Sequence, residues 1–140
     1  MSAPYKRIEF EKTLTGSFVK SEQKDIRWFN QHELQLTYAP DGGSGAGVEL
    51  QVKIFISNES LGTARDSSKW RRYGRYRNLN ADGILTFTPR LIRARAEIAD
   101  DLKQSFQFPF GGKKMYIEYQ EDGTPGTFGT FDAELFSYSD

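Results

Sequence analysis

The ten residues VELQVKIFIS, positions 48–57, decide how this chain folds. Val48, Leu50, Val52, Ile54 and Ile56 fall on one side of an extended backbone, and Glu49, Gln51 and Lys53 on the other. That spacing of two describes a β-strand with one face in a core and one toward water. The same alternation recurs on both sides. Ile8 and Phe10 alternate with Arg7, Glu9 and Glu11, and Leu34, Leu36 and Tyr38 with Glu33, Gln35 and Thr37. Further along, Leu85 with Phe87, Phe106 with Phe108 and Phe110, Met115 with Ile117 and Tyr119, and Phe131 with Ala133 and Leu135 repeat the pattern. Turn-forming residues separate most of these runs: Pro40 to Gly47, Asp82-Gly83, Gly111-Gly112, Asp122-Gly123 and Pro125-Gly126. Short alternating strands at this spacing predict an all-β domain, a two-sheet β-sandwich or jelly-roll-like fold of seven to eight strands.

One segment carries two patterns. In PRLIRARAEIADDLKQ, positions 89–104, Ile92, Ala94, Ala96 and Ile98 alternate with Arg93, Arg95 and Glu97 as in a strand. The composition is rich in helix formers, Thr88 and Pro89 suit an N-cap and first helical position, and Leu91, Ile98 and Leu102 would share a helical face. Propensity favours a short helix near residues 89–103.

The bulk properties narrow the function classes. A chain of 140 residues suits one domain spanning 1–140, with residues 1–7 available as an extended N-terminal arm. Its 11 Phe, 7 Tyr and 2 Trp predict a core built more from rings than from leucine. Nineteen basic and nineteen acidic residues cancel, so the long-range field that draws proteins to nucleic acid or anionic membranes is missing. The absence of cysteine excludes disulfides, thiolate metal sites and thiol nucleophiles. No run reaches the roughly 18 apolar residues of a membrane helix, and MSAPYKRIEFEK lacks the apolar stretch of a signal peptide. The expectation is a soluble protein made in a cytoplasm and not secreted, and Asn58-Glu59-Ser60 is then a chance match to the glycosylation pattern.

Motifs of chemistry are sparse. DGGSGAG, positions 41–47, has glycines at the outer spacing of a phosphate-binding loop, but Val48 and Glu49 stand where that loop needs Lys and Ser or Thr, and a strand follows instead of a helix. An exposed inter-strand loop is the better account. His32 is the single histidine; Glu33 beside it points to the opposite strand face, and no G-x-S-x-G elbow supplies a nucleophile. A surface or partly packed histidine follows. Asp100-Asp101 and Glu121-Asp122 read as acidic turns on a solvated rim. These residues name no catalytic group, metal ligand or cofactor.

The remaining cluster is Lys69, Trp70, Arg71, Arg72, Tyr73, Arg75, Tyr76 and Arg77. In a strand, Trp70, Arg72 and Gly74 lie on one side and Arg71, Tyr73, Arg75 and Arg77 on the other. Guanidinium groups around aromatic rings suit a protein interface, pairing within the same subunit, or a nucleic-acid backbone. The charge balance favours a protein partner over nucleic acid, because non-specific nucleic-acid binding draws its affinity from many phosphate contacts. Trp28, Phe29, Trp70, Tyr73 and Tyr76 are also candidates for stacking on sugar rings, which keeps a carbohydrate-binding module open.

Leu50, Val52, Ile54, Ser57 and Asn58, then Trp70, then Tyr116, Ile117, Glu118, Gly123, Thr124, Phe128, Gly129 and Thr130 form a longer pattern. A strand ending in Ser-Asn leads to a Trp, and a late Y-I-x-x strand leads through a Gly-Thr loop to a final F-G-T strand. This resembles the small β-sandwich structural proteins encoded in the head-and-tail gene clusters of tailed bacteriophages, over roughly residues 48–136. It departs from that pattern in the length between Asn58 and Trp70 and in the arginines that follow. The resemblance implies a non-enzymatic virion component, a capsid decoration or cement protein, or a tail or neck component. Its partners would be the major capsid protein or other virion proteins and further copies of itself, often as trimers.

Overall fold

The computed structural model describes residues 5–10, 13–43, 47–58, 70–79, 85–108, 112–123 and 126–139. Two antiparallel sheets pack face to face as an all-β sandwich. The first sheet has the order β1 (Tyr5–Glu9), β12 (Thr130–Tyr138), β4 (Gln31–Ala39), β10 (Lys103–Phe108). The second is centred on β5 (Glu49–Ser57) and β11 (Lys114–Asp122), which pair along their whole length from Glu49↔Asp122 to Ser57↔Lys114. Short strands flank this pair. β2 (Val19–Lys20) and β3 (Lys24–Asp25) divide the free side of β11, and β6 (Arg71–Arg72) and β9 (Ile92–Arg95) divide that of β5. β7 (Gly74–Leu79) and β8 (Leu85–Pro89) form a separate two-stranded ribbon.

The alternation read from the sequence sets the register of the core. Leu34, Leu36 and Tyr38 of β4 face inward with Ala133 and Leu135 of β12, and Leu50, Val52 and Ile54 of β5 with Met115, Ile117 and Tyr119 of β11. Each fully buried aliphatic side chain contributes about 1.5–3 kcal/mol. Among the described residues of this cluster leucine, isoleucine and valine together outnumber rings, where the aromatics are Phe10, Tyr38, Tyr119 and Phe131, and Trp70 and Tyr116 are buried outside it. Strand parity sends Phe55, Tyr116 and Phe136 to the outer faces, and the inner layer is filled by branched chains.

The segment over 89–103 is a strand followed by one 3-10 turn, Ala99–Leu102, and not the short helix that propensity favours. Ile92 and Ala94 are buried while Arg93 and Arg95 are exposed. β5 offers free backbone groups from Glu49 to Val52, and pairing with them while burying two apolar side chains outweighs a weak helical preference. The arm expected over residues 1–7 is also shortened: Tyr5, Lys6 and Arg7 pair with Tyr138, Ser137 and Phe136, and residues 1–4 lie outside the described residues. The turn at Asp82-Gly83 lies outside them as well.

Candidate functional site

β6 holds the first half of the arginine and aromatic segment against the sandwich. Arg72 stands opposite Phe55 in register and Arg71 opposite Ile56. Phe55 and Tyr116 are neighbours across β5 and β11 on the outer face, stacked with ring centroids 4.9 Å apart at 11°. Trp70 meets Tyr116 edge-on at 4.7 Å and 76°, an arrangement that places ring edge against ring face. Trp70 is only 6% exposed and Tyr116 3%. Lys20 lies 6.0 Å from the Tyr116 ring, and Lys53 sits 3.8 Å from that of Phe18, within the reach of cation–π attraction. Arg72 is half-buried and donates to the Arg90 carbonyl at 3.4 Å; its Nε has no hydrogen-bond partner among the described residues. Burial lowers the pKa of its guanidinium, opposed by the charge of Glu118.

Tyr73 turns to the other side and packs against the core, with its N–H on the Ile54 carbonyl at 2.8 Å. The chain then leaves the sandwich. Arg75, Tyr76 and Arg77 lie in β7, which pairs with β8, and the path returns at Arg90, whose N–H bonds the Tyr73 carbonyl at 2.9 Å. The expected cluster is therefore divided: Trp70, Arg71, Arg72 and Tyr73 at the sheet edge, and Arg75, Tyr76 and Arg77 on the ribbon. Lys69 and the side chains of residues 75–79 lie outside the description. Arg71 is exposed. Of the aromatics considered for sugar stacking, Trp28 is 77% exposed, Phe29 and Tyr73 are half-buried, and Trp70 is covered.

Two polar groups read as surface features are corrected. His32 is 1% exposed because it shares strand parity with Leu34, and its Nδ1 lies 2.8 Å from Oγ of Ser137, its register partner on β12. Glu33 faces the opposite way, accepting from Ser105 at 2.5 Å, Tyr138 at 2.8 Å and Gln35 at 3.2 Å, and these bonds hold its carboxyl below the usual range. Glu121 is fully buried and not part of a solvated rim. It continues the inward series of Met115, Ile117 and Tyr119, and its carboxylate accepts from the Tyr38 hydroxyl and from the Gly129 N–H at 2.9 Å. Burial and this carboxylate push the Tyr38 hydroxyl well above the ordinary tyrosine value. Gly129 is sterically required, since a Cβ there would lie 2.5 Å from the Ala39 carbonyl oxygen. The carboxylate thus ties β4, β11 and the entrance to β12 together.

The glycine loop closes the same end of the sandwich. Gly42 and Gly43 are exposed, Gly47 and Gly123 have φ of 95° and 111°, and positions 44–46 lie outside the described residues. A Cβ on Gly123 would come within 2.9 Å of the Gly47 carbonyl oxygen, so two turns meet there. Among the described residues no three His, Asp or Glu side chains gather as metal ligands, and no helix is long and apolar enough to cross a membrane. Compared with known proteins, the chain matches no family model and no curated protein.

Proposed function

We propose that this chain is a non-enzymatic structural protein of a tailed-bacteriophage particle: a decoration or cement protein that seats on the capsid shell and stabilises it. The observation that carries this reading is the contact between two motif residues far apart in sequence. The Trp that follows the Ser-Asn strand, Trp70, packs on the Tyr that opens the Y-I-x-x strand, Tyr116, across the paired β5 and β11. Two residues of the pattern, Trp70 and Tyr116, are thus neighbours in space. Gly129 of the F-G-T element adds a steric requirement of its own. A protein that binds only the assembled shell favours it by mass action and needs no reactive pocket. The arginine and aromatic segment from Lys69 to Arg77 makes the protein contacts in this reading.

Quantitative mass spectrometry of purified particles tests it. A copy number near the number of capsomers supports the shell assignment, a handful of copies assigns the chain to tail or neck, and absence from particles refutes the reading. Arg71→Glu with Arg75→Glu is expected to remove attachment while the purified protein keeps its fold, Arg71 being exposed. A carbohydrate-binding module is the second reading, favoured by the solvent-facing Trp28. Binding on a glycan array that is lost in Trp28→Ala would support it.

A further inference from the structure

Trp28 is 77% exposed, against 44% for Phe128 and 40% for Ile98, the other open large apolar side chains among the described residues. An indole in water on a loose loop would need no account, but the segment from Asp25 to Asn30 is held at every residue. Asp25 pairs with Lys114 in register, its Oδ1 accepts the Arg27 N–H at 3.1 Å, and its carboxylate takes the Arg27 guanidinium through Nε and Nη2. The Ile26 N–H bonds the Lys113 carbonyl at 3.0 Å, and the Phe29 N–H returns to the Ile26 carbonyl at 3.2 Å, closing a β-turn with Arg27 and Trp28 at its centre. The Trp28 carbonyl accepts from Ser139 Oγ at 2.8 Å, and the Asn30 N–H bonds the Tyr138 carbonyl at 3.0 Å. Ile26 is fully buried in the core cluster and pins the turn from below. A Trp on so fixed a backbone loses little freedom when something contacts it, which makes it a preorganised anchor.

The turn shares an end of the sandwich with the start of the arginine segment. Lys114 pairs with Asp25 on one side and with Ser57 on the other, and Arg71 stands opposite Ile56, the residue before Ser57. β6 and β3 therefore lie three strand spacings, about 14 Å, apart, well inside a single interface of about 800 Å² per partner. The carboxylates of the described residues here are engaged within the chain: Asp25 by Arg27, Glu22 by Lys24 at 3.8 Å, and Glu33 by Ser105, Tyr138 and Gln35. Asp140 lies outside the described residues. Arg71 and Lys113 are exposed and form no ion pair among the described residues. An open indole thus stands at one end with two cations that lack a counter-charge.

We propose that this end is the attachment surface: Trp28 enters an apolar socket on the partner protein, and Arg71 and Lys113 meet acidic side chains around that socket. The inference rests on the reading of Lys69 to Arg77 as a protein interface, and adds the anchor of the contact and the chemistry of the partner. Aromatic anchors with a charged rim carry most of the affinity of protein interfaces. A neutral sugar ring stacked on Trp28 is the poorer occupant, because it leaves both cations unpaired.

Add-back of the purified full chain to particles assembled without it, with bound chain counted over a concentration series, provides the test. Trp28→Ala is expected to weaken binding by at least about thirtyfold, and Trp28→Phe by less. Arg71→Glu with Lys113→Glu weakens it by about tenfold and lessens its dependence on salt. Phe128→Ala, at the opposite end of the sandwich, binds as wild type does, and melting curves verify that all the variants fold. Wild-type affinity in Trp28→Ala or in the charge reversal, or an equal loss in Phe128→Ala, overturns the proposal. So does binding on a glycan array that needs Trp28 while particle binding does not. Should wild type and Trp28→Ala attach equally well, this inference alone fails; should the wild-type chain not attach at all, the reading of the chain as a particle protein fails with it.

Discussion

Replacing Glu121 is the sharpest probe of how the sandwich end is held. In Glu121→Ala the buried Tyr38 hydroxyl and the partly buried Gly129 N–H lose their acceptor. A stranded buried donor costs about 1–3 kcal/mol, and the emptied volume adds to it, for a total of about 3 kcal/mol. For 140 residues the entropy of unfolding is about 0.3 kcal/mol per kelvin, so the melting temperature falls by about 10 °C. Glu121→Gln keeps an oxygen for Gly129 and turns an amide N–H toward the Tyr38 oxygen, whose hydroxyl rotates. It is expected to cost about 1 kcal/mol, or about 3 °C. Thermal and urea unfolding followed by tryptophan fluorescence and circular dichroism give both numbers. The alkaline limb provides an independent reading. Tyr38 keeps its proton more tightly folded than unfolded, so its contribution is present below the ordinary tyrosine pKa and is lost as pH rises toward the folded value. In an ultraviolet titration Tyr38 should be among the last tyrosines to ionise. An alanine variant within about 0.5 kcal/mol of wild type, or a glutamine variant as damaged as the alanine one, would refute the assignment of this carboxylate as a structural lock.

Gly129→Ala should destabilise by more than about 2 kcal/mol, because its Cβ meets the Ala39 carbonyl oxygen at 2.5 Å, whereas Gly126→Ala, with nothing within 4 Å, should be close to neutral in the same melts. Trp70→Ala should cost about 3–5 kcal/mol and Trp28→Ala less than about 0.5, given that the first is covered and the second open. In Trp70→Phe the remaining emission, from Trp28, should be water-like and readily quenched by acrylamide. The acid limb of stability involves Asp25, whose carboxyl is held below its ordinary value chiefly by its hydrogen bond to Arg27, and Glu33, held low first by Ser105 and then by Tyr138 and Gln35. Their contributions are present above ordinary carboxylate pKa values and are lost as pH falls through the folded ones. Asp25→Asn with Glu33→Gln should flatten that limb in urea melts taken across acidic pH.

The long strands were legible because each has one face toward the other sheet, which forces apolar residues to every second position; β4, β5, β11 and β12 all carry that imprint. The same rule, carried one step further, would have placed Glu121 inward after Tyr119 and His32 inward before Leu34, but polarity argued against burial at both positions. Their acceptance depends on partners from distant strands, Tyr38 and Gly129 for one and Ser137 for the other. No local window contains those pairs. β9 was obscured for a related reason: its alternation competes with good helix formers, and only the free edge of β5 decides between them. The division of the arginine segment was invisible in composition, since the same residue types occur on β6 and on β7. The Asp82-Gly83 pair between GRYRNL and LTFTP was the one local sign of a hairpin.

Tyr73 and Arg90 are hydrogen-bonded neighbours although sixteen positions lie between them. A closed doorway of this kind makes the excursion an insertion in the architectural sense, with Tyr73 held by the Ile54 carbonyl of β5 and Arg90 held by Tyr73. Lengthening, shortening or replacing those sixteen positions with a foreign epitope or peptide tag should leave the sandwich to fold as before. The chain thus carries a built-in graft point whose contents and whose scaffold can vary separately.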